Sequence, residues 1–172
     1  MGRVAAVVLA AGEASRFGSP KQRILLPAVL DRLESAPIDD VVVVEGAHAL
    51  ETPEDVGLVH CADWRRGPGA SLRCGLAALG TDVDAAVVVL ADGPTLAPAS
   101  IARVLDAWRH DGGIVAASYA GDRGHPLVLG RAEWVDIPDE GLRGLEARLV
   151  PCDDLGAPGD VDVPEDLPER FS

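Results

Sequence analysis

Along this chain, short runs of apolar residues alternate with stretches whose apolar positions recur at helical spacing. Residues 4–10 are continuously apolar and rich in Val. That is the pattern of a strand buried on both faces, as in a parallel sheet. Residues 12–20 hold two Gly and a Pro and read as a loop. From Gln22 to Leu33 the apolar side chains fall at 25, 26, 29, 30 and 33, which predicts a helix. Further strands are expected over 40–45, 57–60, 85–91 and 114–117, with weaker ones at 127–129 and around Val161. Gly67-Pro68-Gly69 reads as a turn before a helix running from Ser71 to Leu79, with Ser71 near its N-terminus. A third helix is expected over 98–108, with Pro98 in its first turn. A short helix over 141–148 and another opening at Pro164 complete the pattern. Strands alternating with helices predict an α/β protein with a mostly parallel sheet, in one domain over residues 1–172.

Composition refines this. Aromatics make up only 3%, so Val, Leu, Ala and Ile must build the core. The formal charge of −13 argues against nucleic-acid binding through a basic surface. It is uneven, with net −2 over residues 1–80 and −11 over 81–172. An anionic ligand would prefer the first half, and the acidic second half could hold a divalent cation. Cys61, Cys74 and Cys152 are far apart, odd in number and without CxxC spacing, so neither a disulfide framework nor a zinc site is implied. A reducing, cytoplasmic setting fits. The N-terminal apolar stretch suits a buried strand better than a signal peptide, and no apolar run approaches the ~20 residues that span a bilayer.

In open α/β sheets, ligands bind beyond the carboxyl ends of the strands. Two segments fall there. The first is Leu9-Ala10-Ala11-Gly12 and its continuation through Arg16, Phe17, Gly18, Pro20, Lys21 and Gln22. Gly12 and Gly18 let backbone N–H groups approach an anion, Arg16 can fork onto phosphate oxygens, and Lys21 supplies a point charge. Lys21 is the single lysine beside 14 arginines. The loop is neither a Walker A sequence nor a Gly-x-Gly-x-x-Gly fingerprint, and an ordinary strand-to-helix turn is the alternative. The second segment is Leu90-Ala91-Asp92-Gly93-Pro94. A carboxylate at a buried strand's end can cap the next helix or hold a metal. Asp160 and Asp162 form another acidic candidate, and Mg²⁺ on Asp92 and Asp162 would suffice with substrate phosphates.

Taken together, these segments resemble the MobA-like NTP transferase family, and within it the molybdenum cofactor cytidylyltransferase branch. Leu9-Ala10-Ala11-Gly12, Arg16-Phe17-Gly18 and Pro20-Lys21-Gln22 look like the family's triphosphate-binding signature. Gly69-Ala70-Ser71-Leu72-Arg73-Cys74-Gly75-Leu76 looks like its Ser-Leu-Arg-x-Gly-Leu segment, which contacts base and ribose. Leu90-Ala91-Asp92-Gly93-Pro94 looks like its metal motif, and Gly124-His125-Pro126-Leu127 like the acceptor-side loop. Asp139-Glu140-Gly141-Leu142-Arg143 resembles a Gly-Asp-x-Gly-Ala-Arg segment, and Asp160 to Leu167 the closing acidic motif. The chain departs from the pattern after Gln22, where a Gly-x-Pro-Leu stretch is missing, and at Gly93, Pro138 and Val163.

The resemblance implies a three-layer α/β/α Rossmann-like nucleotidyltransferase fold. It implies transfer of CMP from CTP to the phosphate of a molybdopterin-type molybdenum cofactor, with release of pyrophosphate. Arg16, Lys21 and Asp92 would be catalytic. Leu9, Ala10, Ala11, Gly12, Gly69, Ser71 and Leu72 would join Arg16 and Lys21 in holding the nucleotide. Gly124, His125, Pro126 and Arg143 would face the acceptor, and Asp92 and Asp162 would bind Mg²⁺. A molybdoenzyme client is a further partner in this reading; nucleic acid and membrane are not. The alternatives are a GTP-using enzyme, a sugar- or alcohol-phosphate nucleotidyltransferase of the same fold, and a non-catalytic nucleotide- or cofactor-binding chaperone.

Overall fold

The structure is a computed structural model that describes residues 2–12 and 21–159. Arg16, Asp160, Asp162, the strand expected around Val161 and the helix expected at Pro164 lie outside the described residues. Among the described residues, β1 (Arg3–Ala10), β2 (Asp40–Glu45), β3 (Gly57–His60), β4 (Val83–Leu90), β5 (Ile114–Tyr119), β6 (Asp122–Gly130) and β7 (Arg148–Pro151) form one sheet. Its order is β3-β2-β1-β4-β6-β5-β7. Only β6 runs against its neighbours β4 and β5; the other pairings are parallel. The continuous apolar run of residues 4–10 is explained by position: β1 is central, paired to β2 and β4, with both faces covered.

Alternate side chains of the strands feed two separate cores. On one face Val8, Val43, Val87 and Val115 meet Leu26, Val29, Ile101 and Leu105 from α1 (Lys21–Glu34) and α3 (Pro98–Asp111). On the other, Val7, Val44 and Val88 meet Leu72 and Leu76 of α2 (Pro68–Ala77). The molecule is therefore the expected three-layer α/β/α protein. Gly75 lets α2 lie close on the sheet, since a Cβ there would stand 2.5 Å from Val7 and 2.9 Å from Val44.

Three sequence expectations are corrected. Helix α2 begins at Pro68, not Ser71, with Gly67 as N-cap, because proline's fixed φ suits the first helical position; Ser71 is buried in the first turn and caps nothing. Residues 141–148 form no helix. Gly141 has φ +95, Arg123 donates to the carbonyls of Leu142 and Leu145, and the chain then enters β7 alongside β5. Finally, Cys61 and Cys74 form a disulfide, with Cα atoms 5.8 Å apart. Sequence spacing conceals it because the two positions meet only when α2 folds back beside the end of β3. Cys152 is free and buried. Among the described residues no helix is long and apolar enough to cross a membrane.

Candidate active site at the carboxyl edge

The chain runs from β1 out to β2 and β3, then crosses back to β4 on the other side of β1. The crevice at such a switch point, beyond the strand carboxyl ends, is the ligand position of open α/β sheets. Here it lies between the ends of β1 and β4. Ala91 N–H donates to Leu9 C=O (3.1 Å) and Ala47 N–H to Ala11 C=O (3.1 Å), so hydrogen bonding continues past the last strand residues. Ala10 and Ala11 are buried, Leu9 is partly buried and Gly12 is exposed.

Helix α1 is folded back onto this edge. Gln22, 5% exposed, donates from Nε2 to Gly12 C=O at 3.0 Å. Its Oε1 is buried with no hydrogen-bond partner among the described residues. Lys21, the first residue of α1, is 7% exposed and donates from Nζ to Asp92 Oδ2 at 3.3 Å. The structure thus brings together the lysine and the carboxylate that the sequence places after β1 and after β4. Asp92 does not cap the following helix: α3 starts at Pro98, its N-cap is Ala97, and no side chain caps it. The capping explanation for Asp92 fails, and that residue remains a carboxylate aimed into the switch-point crevice beside a buried ammonium.

Asp92 suits a hard divalent cation, being an oxygen donor whose side chain is 20% exposed at a rigid strand end. Among the described residues no three His, Cys, Asp or Glu gather as a metal site. The described chain ends against this turn: Thr95 N–H donates to Pro158 C=O (2.9 Å), and Thr95 Oγ1 to Ala157 C=O (3.0 Å).

The other predicted positions fall on the same edge. Gly69, Ser71 and Leu72 lie in the first turns of α2 and are buried; Leu72 packs in the α2-side core. Because β6 is antiparallel, its beginning reaches this edge, carrying Gly124, His125 and Pro126. Tyr119 Oη donates to His125 C=O at 2.7 Å, and the His125-Pro126 peptide is cis. Arg143 is exposed, on turns between Gly141 and β7. Sequence reasoning quoted Gln22 within the triphosphate-binding motif without a separate role, and gave none to Arg123 or Asp139. Asp139 stood inside a quoted motif, but its partners Arg66 and Arg73 are more than sixty positions away.

Burial, reinforced by the charge of Arg123, pushes the His125 imidazole down to about 4 from its ordinary 6.5. As pH falls below about 6.5 the unfolded chain takes up a proton that the folded chain refuses until about 4. Stability from this site is full above that window and is lost across it. Thermal unfolding between pH 7 and 4.5 should therefore show a steeper loss of Tm in the wild type than in His125→Gln. Equal slopes would show that His125 is no more shielded than in the unfolded chain.

The molecule is thus an α/β protein with a mostly parallel sheet and an ammonium and a carboxylate paired at its switch point. The chain belongs to the MobA-like NTP transferase family, whose sequence model matches residues 6–148. It is similar to the bifunctional protein GlmU of Sinorhizobium fredii (strain NBRC 101917 / NGR234), 32% identical over 162 residues, which is 84% of this chain and 36% of GlmU. The chain thus spans just over a third of that relative's length. Among solved structures it is similar to Rv0371c from Mycobacterium tuberculosis H37Rv, 28% identical with a TM-score of 0.80, over 96% of this chain and 95% of that one. It also resembles Rv0371c in complex with manganese, at 29% identity and a TM-score of 0.74, over 95% of each chain.

Proposed function

We propose that this protein transfers a nucleoside monophosphate, CMP from CTP, to the phosphate of a molybdopterin-type molybdenum cofactor and releases pyrophosphate. The observation that carries the reading is the Lys21–Asp92 pair at 3.3 Å, on the two loops that meet at the switch point. A triphosphate needs cationic groups for its oxygens and a carboxylate for its metal, and these two loops supply both. The manganese complex of the similar Rv0371c supports use of a divalent cation. Asp92 would hold it, with Asp162, which follows the described Gly159 by three residues. Bound there, the cation would neutralise charge on the nucleotide's α-phosphate region.

The chain's own groups do the rest. Lys21, with Arg16 and the backbone around Gly12, binds the β- and γ-phosphates and orients the α-phosphorus for in-line attack. The attacking group is the acceptor's terminal phosphate, already ionised near neutral pH, so no general base is required. Catalysis is positioning and charge neutralisation. The neutral His125 fits this scheme as an uncharged contact to the acceptor.

Pyrophosphate release with Mg²⁺ and CTP, GTP or ATP, each with and without molybdenum-bearing molybdopterin, tests the reading. Cofactor-dependent release with CTP alone supports it fully. Release with GTP moves the base preference and keeps the enzyme class. Nucleotide binding without release under any condition overturns catalysis on this acceptor and favours the binding-protein alternative.

A further inference from the structure

Between the start of β6 on one side and α2 on the other, residues 137–145 form a strap fixed at both ends. At its first end, Asp139 Oδ2 accepts from Arg66 Nε (3.3 Å) and Nη2 (3.2 Å), and Oδ1 accepts from Arg73 Nη2 (2.5 Å). Arg73 Nη1 also donates to Ile137 C=O (2.5 Å), and Gly69 N–H donates to Asp139 C=O (2.8 Å). Arg66 and Arg73 flank the N-terminus of α2, whose first turns carry the nucleotide motif. At its second end, Arg123 donates from Nη2 to Leu142 C=O (2.9 Å) and from Nη1 to Leu145 C=O (2.7 Å). Arg123 immediately precedes Gly124 of the acceptor-side loop. Ile137 and Leu142 are buried as pegs in the α2-side core, which leaves Arg143, the neighbour of the second peg, exposed.

We propose that Asp139 is a positioning residue for the acceptor: its carboxylate ties the strap to the arginines of the α2 end, and that tie sets where Arg143 stands relative to the nucleotide. The Arg73 hydrogen bond and the charges of Arg66 and Arg73 hold the Asp139 carboxyl below the usual carboxylate range, so the tie stays ionised through mildly acidic pH. Backbone hydrogen bonds and the two pegs also hold the strap on α2, and the carboxylate adds its charged contacts to both arginines. The division of labour rests on the proposed function and on Arg143 facing the acceptor.

The test uses the full chain with Asp139→Asn, which keeps the shape and removes the charge, and Asp139→Glu as the conservative variant. With Mg²⁺-CTP and molybdenum-bearing molybdopterin, Asp139→Asn should raise the acceptor KM about tenfold, with kcat and the CTP KM within about threefold. Asp139→Glu should recover most of the loss. Hydrogen exchange of the 140–147 amides should quicken in Asp139→Asn while that of β1 and β4 does not. Parallel rises in both KM values, or no change in either, would overturn the proposal, because a residue that only stabilises α2 disturbs both substrates alike. If the wild type turns over no such acceptor, the functional reading fails separately. Exchange and calorimetric CTP binding then decide: faster strap exchange at unchanged CTP affinity upholds the tie, and unchanged exchange or a matching loss of CTP affinity refutes it.

Discussion

Asp92→Asn is expected to cut pyrophosphate release by about 10²–10³-fold while the protein stays folded, since a group that organises charge in the transition state is worth that much. The substitution preserves the shape of the side chain at the end of β4 and removes the charge that faces Lys21 Nζ at 3.3 Å. Both partners are largely shielded, with side chains 9% and 20% exposed, so losing the pair should also cost stability, about 1–3 kcal/mol. Turnover and thermal unfolding must therefore be measured together. A folded variant with near-normal turnover would remove Asp92 from the chemistry. A folded, inactive variant that regains no activity at high Mg²⁺ or Mn²⁺ concentration would fit loss of the carboxylate as a ligand.

Gly69→Ala should be the most damaging single-methyl change along the carboxyl edge. A Cβ there would lie 1.7 Å from Pro138 O, 2.8 Å from Pro138 C and 2.9 Å from Gly141 N. All three are backbone atoms, so no rotamer change relieves the clash, and α2 must part from the strap. A loss of about 3 kcal/mol or more is expected, read as a fall in Tm of roughly 10 °C for a chain of this size. Gly144→Ala is the control, because nothing lies within 4 Å of its added Cβ and its φ is not positive. A Gly69→Ala variant as stable as Gly144→Ala would mean that the strap does not lie on α2 in solution.

Much of the framework was legible because Val-rich runs such as 41–44 and 87–89 have one physical use, burial on both faces of a parallel sheet. The site was legible in part for the same reason: Lys21 and Asp92 follow two such strands, and carboxyl ends of neighbouring parallel strands converge. What stayed hidden depended on contacts distant in sequence. Leu142 and Leu145 are spaced as on a helix, yet Leu142 is a core peg, and the carbonyls of both residues are claimed by Arg123. Strand β7 has only four residues and an exposed Leu149, too little pattern to mark an edge strand. The Cys61–Cys74 bond and the Asp139 tie needed α2 already in place before their partners could meet.

The reversal of β6 separates the two halves of the rim in how they tolerate change. Strands β5 and β6 are joined by Ala120 and Gly121, both with positive φ, in a two-residue hairpin that opens directly onto the carboxyl edge. A parallel strand would have required a helical crossover there, tied into a packed layer. Residues inserted at this tip extend the rim without repacking either helical face, at a closure cost that grows only slowly with length. The hairpin is thus the place where a lineage, or a designer, can grow a new recognition surface while the β1 and β4 loops keep their spacing.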